Sequence, residues 1–326
     1  MRTTLRLLLK IHRFEVVAVV LACILLAGAD LFLANQLDAA ALPAACVFVP
    51  GSGPQPPVAG SAQDLDCQAR NDALDALQGK TTEALGFGAA LPILAGILLG
   101  VAVVGRELET GTASLAWTLG RSRTRWFVTR CLALAAILGI ALALPALAAN
   151  VLEGARQPQV DPGSSFADSG VRGSVFVLRG VMSFGVGVVA GALIGRQLPA
   201  LIVALALAVI VLVGFEAGVS NWKMALAVWR PDSSSTSGAG SLLFNQAYRD
   251  RATTALVDEN SVNQLAPQVN GGADSDWINA HYELVDLILP GDQYHLVDTG
   301  ESAALGAVAL LFLGAGLIVV NRRSPG

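Results

Sequence analysis

Six stretches of apolar residues, each long enough to cross a membrane, alternate with polar segments along the chain. A membrane-spanning helix needs about 20 mostly apolar residues, because its backbone polar groups must be satisfied within the helix. The pattern therefore predicts an all-α polytopic membrane protein with six transmembrane helices. Their predicted positions are residues 14–35, 85–104, 127–149, 175–194, 198–219 and 302–320.

The polar segments between these spans form two groups that differ in charge. The short segments are rich in arginine, and the long ones are acidic. Because Lys and Arg concentrate on the inner side of membrane proteins, the short segments and both termini are expected in the cytoplasm. The cytoplasmic segments are 1–13, 105–126, 195–197 and 321–326, and the extracellular segments are 36–84, 150–174 and 220–301.

The composition agrees with a single membrane domain over residues 1–326, with 54% hydrophobic and 14% charged residues. The net charge of −4 sums a basic and an acidic face, so it gives no indication of nucleic-acid binding. Residues 1–13 carry basic positions at helical spacing, which predicts an amphipathic interfacial helix. A cleaved signal peptide is the alternative, but its apolar region would be only about 7–15 residues long.

The last extracellular segment, 220–301, is too long for a plain turn. It has a helical pattern around residues 242–257 and a later mixed run, INAHYELVDLILP. We expect short helices here that cap the bundle from outside. In the first extracellular segment, Cys46 and Cys67 share an oxidising compartment, so a disulfide between them is a candidate that the sequence leaves open.

Glycines recur at small-xxx-small spacing in two spans, at Gly96 and Gly100 and at Gly187, Gly191 and Gly195. This spacing lets helix backbones approach closely, and it predicts tight packing within the bundle. A contact between two copies of the chain is the alternative.

Ionisable residues within spans are few. Asp30, Arg179 and Glu216 lie near the outer ends of their predicted spans, where we expect them to reach water or headgroups. The lack of a carboxylate at mid-membrane weakens a proton-coupled carrier as an interpretation. The chain has neither an HExxH nor a GxSxG pattern, so a membrane enzyme is also disfavoured.

The segment 105–126 contains the most informative residues. Arg121, Arg123 and Arg125 form a basic cluster expected at headgroup level, and Ser122 is positioned to cap the third span. A basic turn that only fixes topology would explain these arginines. It would not explain Glu107 and Glu109, two acids placed directly after a span on the basic side.

This arrangement resembles the permease subunits of ABC-2 type exporters, in particular actinobacterial members. Their E-x-E-x-G-T pattern appears here as Glu107, Glu109, Gly111 and Thr112, and their S-R as Ser122 and Arg123. The run LILPGDQYHLVDTGES before the last span is similar to their Q-P-x-x-R-[FY]-W-x-[FL]-Q-x-x-E segment. This chain departs from that segment at two places, with Leu-Pro for Gln-Pro and Gln for the usual Arg.

The resemblance implies a six-span half-transporter that exports an unidentified substrate across the bacterial plasma membrane. It implies no catalysis and no bound metal or cofactor on this chain, since ATP and Mg would bind to two copies of a cytoplasmic ABC ATPase. A second permease subunit, identical or related, would complete the complex. The ATPase-coupling residues would be Arg106, Glu107, Glu109, Gly111 and Thr112. An ATP-independent carrier and a non-transporting accessory or sensor subunit remain as alternatives.

Overall fold

The computed structural model describes residues 10–43, 46, 60–111, 122–231, 240–269 and 272–323. Six of its helices have the length and apolar composition to cross a membrane, so the prediction of an all-α polytopic membrane protein is confirmed. We number the helices and strands in chain order. The membrane-length helices are α1 (Arg13–Ala39), α2 (Ala62–Val101), α3 (Arg123–Arg156), α4 (Gly173–Ile194), α5 (Gln197–Leu226) and α8 (Tyr294–Arg322).

Helix α2 does not stop at Val101. It continues as a π-helix over Ala102–Arg106 and then as one α-helical turn over Glu107–Glu109. It also begins well before the predicted span start at residue 85. Ser61 caps it by accepting a hydrogen bond from the backbone N of Asp64, at 3.1 Å. The early turns fold as helix because Leu74, Leu77 and Leu85 pack on apolar residues of α1 and α3.

The polar segments contribute a disulfide and a helix cap. Cys46 and Cys67 form a disulfide that links the segment after α1 to the early part of α2. Ser122 caps α3 as predicted, because its hydroxyl accepts a hydrogen bond from the backbone N of Arg125 at 3.3 Å. The predicted interfacial helix at 1–13 lies mostly outside the described residues.

The chain folds as two compact units, which we call the bundle unit and the sheet unit. The bundle unit takes residues up to Pro158, then Asp168–Val211, then residues from Gly300 onward. Its core is formed by apolar side chains of α1, α2, α3 and α4, among them Cys23, Leu99, Leu134 and Phe184. The sheet unit comprises Gln159–Ala167 and Leu212–Thr299.

The sheet unit combines short strands with two short helices. Their bounds are β1 (Val228–Pro231), β2 (Leu242–Asp250), β3 (Leu256–Val257), α6 (Glu259–Leu265), β4 (Gln268–Val269), β5 (Gly272–Ala273), α7 (Ser275–His281) and β6 (Tyr282–Leu289). Four of the strands form an antiparallel sheet in the order β1-β6-β2-β3. Strands β4 and β5 pair with each other as a separate two-stranded ladder.

The prediction of a helix around residues 242–257 is wrong, because this segment forms β2 and β3. The later mixed run was also expected as helix, but only its beginning belongs to α7, and the rest forms β6. Strand β6 is the cause of both differences, since it pairs with β1 on one side and β2 on the other. Its buried Asp286 accepts a hydrogen bond from Gln246 of β2 at 2.9 Å.

Candidate functional site: the Glu107 cluster

The residues that the sequence singled out follow the π-helix of α2. Arg106 is its last residue, and Glu107 and Glu109 lie in the α-helical turn that comes next. Gly111 has a φ of +72°, and its backbone N donates to the carbonyl of Leu108 at 3.3 Å. A glycine in the left-handed conformation is a common helix end, so α2 terminates here. Thr112, the last predicted coupling residue, lies outside the described residues.

Glu107 is buried in the bundle unit, with only 2% of its surface exposed. Its carboxylate forms an ion pair with the guanidinium of Arg130 on α3. The Nε2 of His12, the residue before α1, lies 3.6 Å from Oε1 of the same carboxylate. Trp126, one turn before Arg130, is also buried, and the Arg130 guanidinium lies 4.9 Å from its ring centroid. We call His12, Glu107, Trp126 and Arg130 the Glu107 cluster.

The charge state of the cluster depends on His12, which is fully buried. Burial lowers the pKa of His12 from 6.5 to about 4, and the positive charges of Arg130 and Arg106 act in the same direction against an opposing effect of Glu15. His12 is therefore neutral near pH 7. The distance between His12 and Glu107 is short enough for an ion pair, but a neutral imidazole has no charge to contribute. Near pH 7, Arg130 therefore supplies the positive charge that balances the carboxylate.

Arg106 contacts a different part of the chain from its neighbour Glu107. Its Nη1 donates to Oε1 of Glu15, in the first turn of α1, at 2.6 Å. The Arg106 side chain is 37% exposed, so this pair is more accessible to solvent than the Glu107 cluster. Two consecutive residues at the end of α2 thus contact the beginning of α1, one through Glu15 and the other through His12.

Glu109 connects the same turn to α5. Its Oε2 accepts a hydrogen bond at 2.9 Å from the backbone N of Gln197, the first residue of α5. A carboxylate at this position satisfies an unpaired N–H group and interacts favourably with the helix dipole. The turn after the π-helix therefore contacts α1, α3 and α5 through three side chains, those of Arg106, Glu107 and Glu109.

Backbone packing between α2 and α4 positions this turn. Gly187 and Gly191 lie so close to α2 that an added Cβ would come within 2.9 Å of the Ile97 carbonyl and 3.0 Å of the Gly105 backbone N, respectively. Gly96 and Gly100 are restricted still more, by backbone oxygens of α4. The prediction of tight glycine packing is confirmed. Gly195 is the exception, because it ends α4 with a φ of +69°.

The π-helix keeps these glycines in register. Gly96 and Gly100 are four residues apart, but the next glycine on the same contact is Gly105, five residues further on. A π-helix bonds residue i to i+5, so its wider turn accommodates the extra residue. Gly105 then contacts Gly191, and Glu107 follows two residues later.

The predicted basic cluster has a structural role at one of its three positions. Arg123 donates to the backbone carbonyls of Asn321 and Arg323, so it holds the end of α8. Arg323 in turn donates to the carbonyl of Leu193 on α4, at 3.1 Å. Arg125 is exposed, in agreement with a position at the membrane surface, and Arg121 lies outside the described residues.

Sequence reasoning missed His12, Glu15 and Arg130 as members of the site. The only available signal was an arginine four residues inside a predicted span, together with an acid and a histidine at the start of another span. None of these positions indicates its partner, since the ion pairs join residues far apart in the chain. Among the described residues, no group of three or more His, Cys, Asp or Glu side chains is arranged to hold a metal ion.

One short turn at the end of α2 thus contacts three other helices through charged side chains. A family model described as ABC-2 membrane transporter related matches residues 16–219, from α1 into α5. No curated protein and no solved structure gave a match. With six membrane-length helices among its described residues and this match over more than half of its length, the chain belongs to the ABC-2 membrane transporter related family, as a multi-pass permease component.

Proposed function

We propose that this chain is the membrane-spanning permease subunit of an ABC exporter that uses ATP hydrolysis by a separate ATPase subunit. The observation that carries the proposal is the turn after the π-helix, where Arg106, Glu107 and Glu109 contact three other helices of the bundle unit. In this proposal the segment 106–112 is the ATPase-coupling segment. The substrate is unidentified, and export is the direction that the family resemblance suggests.

The complex would contain two ATPase subunits and a second permease subunit, identical or related. ATP and Mg would be bound by the ATPase. The arginine-rich ends of the helices, which include Arg106, Arg123 and Arg125, would face the cytoplasm of a bacterial plasma membrane, because basic residues are retained on that side. The ATPase subunits would then dock on the face where α2 ends.

Coupling in such a complex is a population shift. An ATPase that closes on ATP can move the bundle only by binding one of its arrangements more tightly than the other. A push on the coupling segment would reach α3 through the Glu107–Arg130 pair and α5 through Glu109. The two pathways can be separated experimentally, because Glu107 is buried and Glu109 is exposed.

The decisive experiment is to co-express the chain with candidate ATPase subunits and purify through a tag on the permease. We expect an ATPase to co-purify and to hydrolyse ATP faster with the permease than alone. Failure of every candidate to associate with folded, monodisperse permease would refute the proposal. Transport that persists without ATP would favour a carrier instead.

The coupling segment is tested by Glu109→Ala. This substitution removes one exposed hydrogen bond, so the variant should fold and co-purify with the ATPase but stimulate its activity several-fold less. Glu83→Ala is the matched control, since Glu83 is an exposed acid on the same helix, in its early part. Equal stimulation by wild type, Glu83→Ala and Glu109→Ala would remove Glu109 from the coupling role.

A further inference from the structure

Asp30 is an acidic residue buried within helix α1. Only 2% of its surface is exposed, and its Oδ1 has no hydrogen-bond partner among the described residues. It lies nine residues before the end of a 27-residue helix, which is roughly 14 Å along the axis. Since α1 is about 40 Å long and the hydrocarbon layer about 30 Å thick, Asp30 lies within that layer. The prediction that Asp30 reaches water or headgroups is therefore wrong.

Asp30 lines a small cavity inside the bundle unit, with room for about one water molecule. The other lining residues are apolar and include Leu26, Leu85, Gly88, Pro145 and Phe176. An ionised carboxylate in such surroundings is unfavourable, because the other lining residues are apolar and none of them carries a compensating positive charge. The structure therefore favours a neutral acid at this position.

One of the lining residues, Gly88, has a carbonyl group without its usual helical donor. Pro92 lies inside α2 and has no N–H group, so the carbonyl of Gly88, four residues earlier, lacks its usual helical donor. Gly88 lines the same cavity as Asp30. A protonated carboxyl group is a hydrogen-bond donor, whereas an ionised one only accepts. A proton on Asp30 would thus supply a hydrogen-bond donor in a cavity that Gly88 also lines.

The charged groups nearest this part of the bundle are engaged elsewhere or exposed. Glu153 pairs with Arg156 on α3, at 3.2 Å, and Arg172 donates to the side chain of Asn150 at 3.4 Å. Arg179 of α4 donates to the Gly170 carbonyl. On the second half of α1, which contains Asp30, and on residues 78–92 of α2, the exposed ionisable residues are Asp38, Lys80 and Glu83. Within the described part of the chain, none of these side chains forms an ion pair with Asp30.

We propose that Asp30 is a proton-binding site within the membrane domain. It holds a proton in the arrangement seen here and releases it to water when α1 moves away from α2. In this step the O–H bond of the carboxyl group breaks, the electron pair stays on the carboxylate and the proton passes to a water molecule. A metal ion would need more oxygen ligands than this cavity offers, and an organic cation would not fit.

Proton release accordingly accompanies any rearrangement that admits water between α1 and α2. The site therefore makes this rearrangement sensitive to pH. This inference does not depend on ATP hydrolysis or on the identity of the substrate. It would hold for an exporter and for a carrier alike.

Infrared spectroscopy of the purified chain at neutral pH tests the proposal. The carbonyl stretch of a protonated carboxyl group absorbs at a different frequency from the stretching bands of a carboxylate. Asp30→Asn should lose one such carbonyl band, since the amide replaces the neutral acid in shape and hydrogen bonding. Asp38→Asn, an exposed acid on the same helix, should retain the band. A spectrum of Asp30→Asn identical to wild type in this region would overturn the proposal.

Asp30→Glu covers the case in which the asparagine variant does not fold. The glutamic acid should shift the band without removing it, and an unshifted band would again contradict a proton on residue 30. Neither ATPase nor substrate is present in these measurements. A negative result would therefore refute the proton site at Asp30 and leave the proposed permease function untouched.

Discussion

Glu107 and Asp30 are both 2% exposed, yet the bundle accommodates them in opposite ways. Glu107 lies beside Arg130 and a neutral histidine, so it can remain ionised. The residues that line the cavity around Asp30 are apolar and none of them is a cation, so Asp30 needs a proton. The comparison shows that burial alone does not determine the charge of an acid in this protein. The presence of a neighbouring arginine does, and this difference can be tested by removing the arginine.

The largest effect is expected for Arg130→Ala. Removing one partner of a buried ion pair leaves an uncompensated charge and typically costs about 3–5 kcal/mol. We expect a loss of this size in the free energy of unfolding, measured in detergent by chemical denaturation. Arg125 is an exposed arginine earlier on the same helix, so Arg125→Ala should change the free energy of unfolding very little.

A second variant determines whether the charge of Glu107 causes that loss. The double variant Glu107→Gln/Arg130→Ala lacks the uncompensated charge, so it should recover part of the lost free energy of unfolding. A double-mutant cycle then gives the coupling energy between Glu107 and Arg130. If Arg130→Ala were as stable as Arg125→Ala, the ionised state of Glu107 would not depend on its arginine. The contrast with Asp30 would then disappear.

A somewhat smaller effect is expected from acidification, through His12. Its pKa of about 4 in the folded protein lies below the 6.5 of the unfolded chain, so the unfolded chain binds the proton first as the pH falls. The contribution of His12 to the free energy of unfolding is fully present above about pH 6.5 and is lost progressively as the pH falls to about 4. A pKa lower by about 2.5 corresponds to about 3 kcal/mol.

The measurement is the pH dependence of thermal unfolding for wild type and His12→Gln. The variant should lose less stability between pH 6.5 and 4, because it has no imidazole to protonate. His281→Gln, which replaces an exposed histidine of α7, should behave like wild type. Parallel curves for wild type and His12→Gln would indicate that His12 is accessible to protons in the folded state.

The smallest effect is expected for Arg106→Ala. Its pair with Glu15 is partly exposed, and such pairs contribute about 0.2–1 kcal/mol. A double-mutant cycle with Glu15→Gln should give a coupling energy in that range. A coupling as large as that of Arg130 with Glu107 would mean that the two ion pairs form one cooperative unit.

The sequence predicted the six membrane helices because long apolar runs have few other structural solutions. It did not predict the side chains that meet at Glu107. The ion pair of Arg106 with Glu15 joins residues 91 positions apart, and no local pattern encodes such a distance. The burial of Asp30 was missed for a related reason, since α1 is apolar on all sides and its sequence does not indicate which face meets α2.

The sheet unit illustrates a different limit. Residues 242–257 have a pattern compatible with a helix, but β2 is determined by its pairing with β6, some 40 residues later. Aromatic residues such as Phe244 and Tyr248 favour strands, although that preference depends strongly on the neighbouring strands. Tertiary pairing therefore overrode the local pattern. The helix caps at Ser61 and Ser122, by contrast, depend on neighbours three residues away, and for Ser122 the sequence sufficed.

The π-helix makes the length of this segment more important than the identity of its residues. Each residue advances an α-helix by about 100°, so inserting a further residue within 102–106, beyond the one that the π-helix already takes up, would rotate Glu107 by about that angle around the axis of α2. The carboxylate would then point away from Arg130, although every side chain of the cluster would still be present. Substitutions at Ala102 or Val103 would leave its direction unchanged. Among related chains, the site should therefore tolerate exchanges in this segment far better than insertions.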